Sequence, residues 1–503
     1  MGEFNYLQQL PAIAPELGLT ILAIVVLALD LYLPESRRKG TAYVAAFGLL
    51  GLAIAPFVWL PSVGIETFWG GMVEYDILAQ VFKVMILLAG GITCLIAAST
   101  SDLGRKGEFY LIVIVSTLGA SLLSASSDII MIFVALETLS IPLYVLAAFR
   151  KRDQRSIESG MKYFLFGSFA SAILLYGFSL LYGFTGQTNL YAIADYMTSP
   201  EFSLSAVPIV VALVLIFVGF GFKISAVPFH FWTPDVYEGA PTPVTAFVSV
   251  ASKAASMAVL MRFLIALFPA ELVINGQVMQ EFWIQLVIVL AVVSMTVGNV
   301  LALVQKNVKR LLAYSSIAQA GYTLIGIAAI QTMRLTDGVA DISQSAAAQG
   351  VAAVTFYMFM YTFTNLLAFA VIVIFTEATG SENISDLAGL SRRNPWLALA
   401  MTIGLLSLAG IPPAAGFFGK FFLFNAAVNA GLEWLALFGV LNAIIALYYY
   451  LVVIKVIYVD RHADDEVPIA LNLTNAWMLG ATTVIVIILG VLPQAIFNWA
   501  LSS

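Results

Sequence analysis

Charge is scarce in this sequence: Asp, Glu, Lys and Arg supply 10% of its 503 residues, against 61% hydrophobic ones. A soluble domain carries about 25% charged residues, and a mean hydropathy of +0.97 excludes a water-soluble globule. Cysteine is nearly absent, with Cys94 alone inside an apolar run, and the only histidines, His230 and His462, lie far apart in the chain. Ligands for Cys-held iron-sulfur clusters and for a bis-histidine haem are therefore missing. No G-x-G-x-x-G or G-x-x-x-x-G-K-S/T motif stands in a strand-to-helix setting, which leaves nucleotide binding without support. No cofactor, metal or nucleic-acid partner is expected on this chain, and the chemistry that drives it is expected on other chains. The opening MGEFNYLQQLPAIAPE lacks a basic n-region, so the first apolar run is expected to be kept as a span.

What the chain does have is apolar runs of roughly 20 residues, the length that crosses about 30 Å of hydrocarbon. They fall at about 12 to 33, 41 to 60, 77 to 98, 109 to 126, 128 to 149, 163 to 184, 206 to 231, 242 to 268, 281 to 303, 308 to 330, 346 to 376, 396 to 429, 432 to 458 and 474 to 499. The expected fold is an all-α integral membrane protein of about fourteen transmembrane helices, embedded in a lipid bilayer. Spans eleven and twelve are too long for a straight crossing and must tilt, kink or break. Loops after odd-numbered spans hold fifteen of the 23 basic residues, among them Arg37, Arg105, Arg150, Arg152, Lys306 and Arg392, against Arg334 alone on the opposite side. The positive-inside rule then places the odd loops in the cytoplasm and both termini outside.

Seven basic residues remain within or at the edge of spans. Lys83, Arg262 and Lys455 lie near span ends, where a long stem is expected to carry the charge to the interface. Lys223, Lys253 and Lys420 lie several turns from any boundary, where a charge costs at least ~2.5 kcal/mol. Glu137, about nine residues into span five, carries the same cost. Structural ion pairing does not account for the set, because one carboxylate cannot neutralise three ammonium groups. Lysine in a low-dielectric surrounding responds readily to its neighbours by changing protonation, so a proton path is the expected use.

Two of these lysines sit beside helix interruptions. Lys223 lies in VGFGFKISAVPFHFW and Lys420 in LAGIPPAAGFFGKFFLF; proline removes a backbone donor, and backbone freed in this way is satisfied beside a hydrated cavity. The interruptions are five spans apart. If spans four to eight and nine to thirteen are related units, the odd helix number inverts the second relative to the first. His230 lies just past the seventh-span break, either as a relay group or as a hydrogen-bonded structural one. Glu158 and Lys162 are spaced i, i+4 as an ordinary helix ion pair. Tyr314, Ser315, Ser316 and Tyr322 in LLAYSSIAQAGY either hold water or join helices.

The stretch FKISAVPFHFWTPDVYEGAPTPVTAFVSVASKAAS, Phe222 to Ser256, resembles the signature of the N-subunit family of respiratory complex I and its relatives in the photosynthetic NDH complex. KRLLAYSSIAQAGY and AGIPPAAGFFGKFFLF agree with it, and DVYEGAPTPV is its most specific string. The resemblance implies an antiporter-like, proton-translocating subunit of a multisubunit NADH-quinone reductase, with inverted five-helix repeats and broken helices seven and twelve. It implies helices one to three in 1–108, the first repeat in 109–268, the second in 269–460 and the last helix in 461–503. By position it implies a relay of Glu137, Lys223, Lys253 and Lys420, with His230 and Lys162 also matching. Lys420 speaks against the related M subunit, which carries glutamate there, and the lack of a long lateral helix speaks against the L subunit. NAD, FMN, iron-sulfur clusters and quinone are implied on partner subunits, and an M-type subunit and small membrane subunits as neighbours. A bacterial plasma membrane, or an equivalent energy-transducing one, is the implied location. A subunit of a multisubunit cation/proton antiporter and a non-pumping scaffold of the same complex stay open as alternatives.

Overall fold

The computed structural model describes residues 10–58, 66–202, 204–269, 272–274, 276–330, 346–461, 463–464 and 467–501. Arg334 and His462 lie outside the described residues. Thirteen described helices are long and apolar enough to cross a membrane, from Ala14–Tyr32 to Leu473–Val491. A fourteenth crossing is made by two short helices, Pro395–Ala409 and Ala415–Asn429. Span seven is likewise two pieces, Ala206–Ile224 and Trp232–Gly239. Span eleven, in contrast, stays one helix over Ala346–Thr379, some 50 Å long at 1.5 Å per residue. Its length is tolerated because it runs through the interior, where every residue of its apolar window is buried.

Both breaks follow from their sequences. The first half of span seven ends at Ser225 in the left-handed region (φ 62), and that of span twelve at Gly410 (φ 86). The freed backbone is satisfied from neighbouring helices and side chains: Val227 N donates to Ser294 Oγ at 2.9 Å, Trp232 Nε1 to Phe222 O at 3.0 Å, and Gly416 N to Ser407 Oγ at 3.1 Å. Gly416 is required there, since a Cβ would sit 1.7 Å from Ser407 O. Span eight, Thr242–Leu267, carries a π turn over Val248–Ser252, immediately before Lys253.

Polar contacts gather the loops into two ends. At one end Arg150 bonds Asp102 at 2.6 Å, Ser101 N bonds Glu377, and Lys309 bonds both Glu382 and Ala240 O at 2.9 Å. All of these lie after odd-numbered spans. At the other end Asn189 Nδ2 donates to Gly71 O and Ser127 O, beside the hairpin Glu66–Phe68 and Val73–Tyr75. The alternation read from the basic residues is thus the alternation of the fold.

Candidate functional site

The three interior lysines are buried, Lys223 and Lys253 at 2% exposure and Lys420 at 4%. Among the described residues, none has a carboxylate within ion-pairing distance. Lys223, at the end of the first half of span seven, donates to Ser140 Oγ at 2.5 Å and faces Tyr144 OH at 3.4 Å. The rings of Tyr144, Phe222 and Tyr163 surround it at 5.4, 5.5 and 6.0 Å. Glu137 lies one turn before Ser140 on span five. Its Oε1 is buried with no hydrogen-bond partner among the described residues.

Lys253 follows the π turn and donates to the hydroxyl and carbonyl of Ser316 in span ten, Val308–Ala328. The Tyr237 hydroxyl lies 3.2 Å from that same Ser316 Oγ. One turn along span ten, Gln319 Nε2 donates to Leu408 O at 3.1 Å and to Tyr450 OH at 3.3 Å, while its Oε1 accepts from Tyr357 OH. Leu408 O and Ala409 O, left open where the first half of span twelve ends, each accept from Lys420 Nζ at 3.0 Å. Lys420 also lies 4.7 Å over the Tyr322 ring. Ser316 and Gln319, one turn apart on span ten, therefore stand between Lys253 and Lys420, with Leu408 O accepting from both Gln319 Nε2 and Lys420 Nζ.

Between Lys223 and Lys253 the bridge is incomplete. The hydroxyls of Tyr163, whose ring lies beside Lys223, of Ser252, next to Lys253, and of Tyr361 are buried with no hydrogen-bond partner among the described residues. Buried hydroxyls of this kind are normally satisfied by protein or by ordered water. Ammonium, hydroxyl, amide and water in series can pass protons.

At the end of the odd loops, beneath the second half of span seven, a cavity of about 210 Å³ is lined by Arg155, Glu158, Ser159, Lys162, Asp235 and Glu238. Lys162 bonds both Glu158 and Asp235 at 2.7 Å, and Arg310 bonds Asp235 at 2.8 Å and Glu238 at 3.0 Å. Lys162 is thus more than half of a helix pair: it joins span six to the break. His230 is buried in the break with Nδ1 unpartnered among the described residues, against Phe231.

Several sequence expectations change. Of the four span-ten candidates, Ser316 and Tyr322 lie against the lysines, Ser315 pairs with Tyr450, and Tyr314 is half-buried. Lys83 and Arg262 do not reach an interface. Lys83 is fully buried against Glu16 at 3.0 Å, and Arg262 is 4% exposed between Glu74 and Asp76. Their span ends are capped by the N-terminal helix and the 66–75 hairpin, which hydropathy alone does not locate. Asp76, just ahead of span three, has its carboxyl pushed up to about 6 by burial, against the opposing pull of the Ala79 amide and the Lys83 ammonium. Lys309 is buried, not a loop residue, whereas Lys455 is exposed beside Asp460 as expected. Ser140, Tyr144, Gln319, Tyr357 and Tyr450 were not legible as site residues, since Ser, Tyr and Gln are common helix-joining residues in membranes.

Comparison with known proteins adds three findings. The model of the NADH:quinone oxidoreductase/Mrp antiporter transmembrane family matches residues 126–446. The chain is 38% identical to NADH-quinone oxidoreductase subunit N of Desulfitobacterium hafniense over 98% of each chain, and 43% identical to NAD(P)H-quinone oxidoreductase subunit 2 of Trichodesmium erythraeum over 89% of this chain and 81% of that one. Among solved structures, a chain of respiratory complex I from Thermus thermophilus with bound aureothin superposes with a TM-score of 0.75 at 31% identity, covering 96% of this chain and 98% of that chain.

Proposed function

Since the chain belongs to the NADH:quinone oxidoreductase/Mrp antiporter transmembrane family, we propose that it moves protons across the membrane as the N-type subunit of a multisubunit NADH-quinone oxidoreductase. The observation that carries this reading is the polar series from Lys253 through Ser316, Gln319 and Leu408 O to Lys420, buried in the middle of an apolar protein. Protons enter from the side of the basic loops through the cavity at Lys162 and Asp235, with His230 supporting the entry. Glu137, near Lys223, holds a proton there or lets it pass inward. Lys253 and Lys420 carry it along the midplane, and Ser315 and Tyr314 support span ten at its edge.

Spans four to eight and nine to thirteen form the two inverted units, each with one broken helix and one lysine beside the break. Electron transfer takes place elsewhere, on subunits that hold NAD, FMN, iron-sulfur clusters and quinone. The Lys420 side faces an M-type neighbour, with small membrane subunits along the remaining flank. The membrane is a bacterial plasma membrane or its energy-transducing equivalent, with the basic loops in the cytoplasm and both termini outside. Relatives called subunit N over nearly the whole length weigh against a free-standing cation/proton antiporter.

The test is the number of protons moved per electron pair by the assembled complex in sealed vesicles. Lys253→Met leaves an apolar side chain where a charge had to be desolvated, so folding and assembly survive. With subunit content intact, the ratio is expected to fall. An unchanged ratio would remove Lys253 from the path.

A further inference from the structure

A second ionic cluster lies outside this axis, at the end of the even-numbered loops. Asp76, Gln80 and Lys83 are spaced i, i+4, i+7 on one face of span three, which places them in line along the helix. At its mouth Arg262 of span eight donates to Asp76 Oδ1 at 2.9 Å and touches Glu74 of the hairpin. Arg262 is nine residues beyond Lys253 on the same span, about 13 Å along the helix. Two turns inward Lys83 Nζ donates to Ala12 O at 2.8 Å and pairs with Glu16 Oε1 at 3.0 Å, which also accepts from Ser121 Oγ at 2.5 Å.

Glu16 is 4% exposed, yet its second oxygen, Oε2, has no partner among the described residues, and neither has Gln80 Nε2. Glu16 lines a cavity of about 420 Å³ together with Ile13, Leu17, Trp69 and Met72. Leu17 and Met72 at its rim are exposed, so the cavity opens at the protein surface. Glu16, with one oxygen held by an ammonium and the other enclosed and without a hydrogen-bond partner among the described residues, is the one carboxylate among the residues that line this cavity.

We propose that this cluster is an outward proton branch of the chain, from Lys253 past Arg262 and Asp76 to the Lys83–Glu16 pair, and that Glu16 Oε2 releases the proton into the cavity beside Trp69. The branch rests on the relay reading above. An arriving proton converts the carboxylate of Glu16 to the acid while Lys83 stays an ammonium. Release of that proton to water restores the ion pair, so one proton enters and one leaves.

The experiment compares protons moved per electron pair by assembled complexes in vesicles, checked for subunit content, carrying Lys253→Met, Glu16→Gln, Glu16→Asp or the double change Glu16→Gln with Lys83→Met. The double variant covers the case in which Glu16→Gln leaves a buried ammonium that prevents folding. Glu16→Gln and the double variant are expected to fall to the ratio of Lys253→Met, and Glu16→Asp to recover at least half of the loss, which a purely structural carboxylate would not require. Wild-type pumping by Glu16→Gln and by the double variant, beside a deficient Lys253→Met, would overturn the branch and leave the relay standing. Wild-type pumping by Lys253→Met would overturn the relay and the branch with it.

Discussion

Each interior lysine is held by groups that hydrogen-bond either of its protonation states, and that distinguishes a relay from an ion pair. Ser140 Oγ, Ser316 Oγ and the Leu408 and Ala409 carbonyls accept from an ammonium or from the N–H of an amine, whereas a carboxylate would fix the charge. Glu137 stands one turn from Ser140, the hydroxyl that accepts from Lys223. A unit pair about 6 Å apart at an effective dielectric near 20 is worth about 2.8 kcal/mol, enough to retain or free a proton as the distance changes. Glu137→Gln is therefore expected to slow coupled NADH oxidation about tenfold in assembled complexes, and Glu137→Asp to keep an intermediate rate; equal rates for the two would contradict a charge-based role. Ser316→Ala removes the hydroxyl between Lys253 and Tyr237. A lost hydrogen bond to a charged group costs about 1.5–3 kcal/mol, so a lower thermal midpoint should accompany a smaller pumping defect than that of Lys253→Met. At this scale the sequence was most legible where a charge stood alone in an apolar run, as Lys223, Lys253 and Lys420 do. It misled at Lys83 and Arg262, because the groups that bury them come from residues 12–16 and 74–76, remote in the chain from Arg262 and, for Lys83, partly on another helix.

Helix interruptions set where the lysines can bond. Breaking span twelve exposes the carbonyls of Leu408 and Ala409, which a continuous helix would have used internally, and Lys420 takes both. Gly416 makes the return possible by its close approach to Ser407. Gly416→Ala is expected to destabilise the chain by about 3 kcal/mol or more, the upper range for overpacking, and to deplete the assembled complex on native gels. Gly404→Ala in the same span meets nothing nearer than 3.6 Å and should assemble normally; the opposite ranking would refute the packing argument. The proline and glycine strings announced both breaks, since they act through local backbone chemistry. The π turn before Lys253 was not legible, because VSVAS carries no residue that demands it; its place is set by packing around span eight.

Across the whole molecule, the two ends of the bundle separate the entry cavity from the Glu16 cavity. Sidedness is testable with single cysteines in a Cys94→Ser background. Gln187→Cys, after span six, should react with an impermeant thiol reagent added outside intact cells, and Arg152→Cys should not; the reverse would invert the direction of transport. Span number and alternation were readable because bilayer thickness fixes span length and basic residues mark one face. The lateral order of helices was not, which is why span ten's position against spans eight, twelve and thirteen emerges only in three dimensions. The most direct test of the central claim, a proton-conducting axis along the midplane, is a map of ordered water in the assembled complex. The axis requires waters bonded to the Tyr163 and Tyr361 hydroxyls and to Ser252 Oγ, linking Lys223 to Lys253 and continuing to Lys420. A map at water-resolving resolution in which those hydroxyls bond only protein atoms, and apolar side chains fill the space between the lysines, would contradict it.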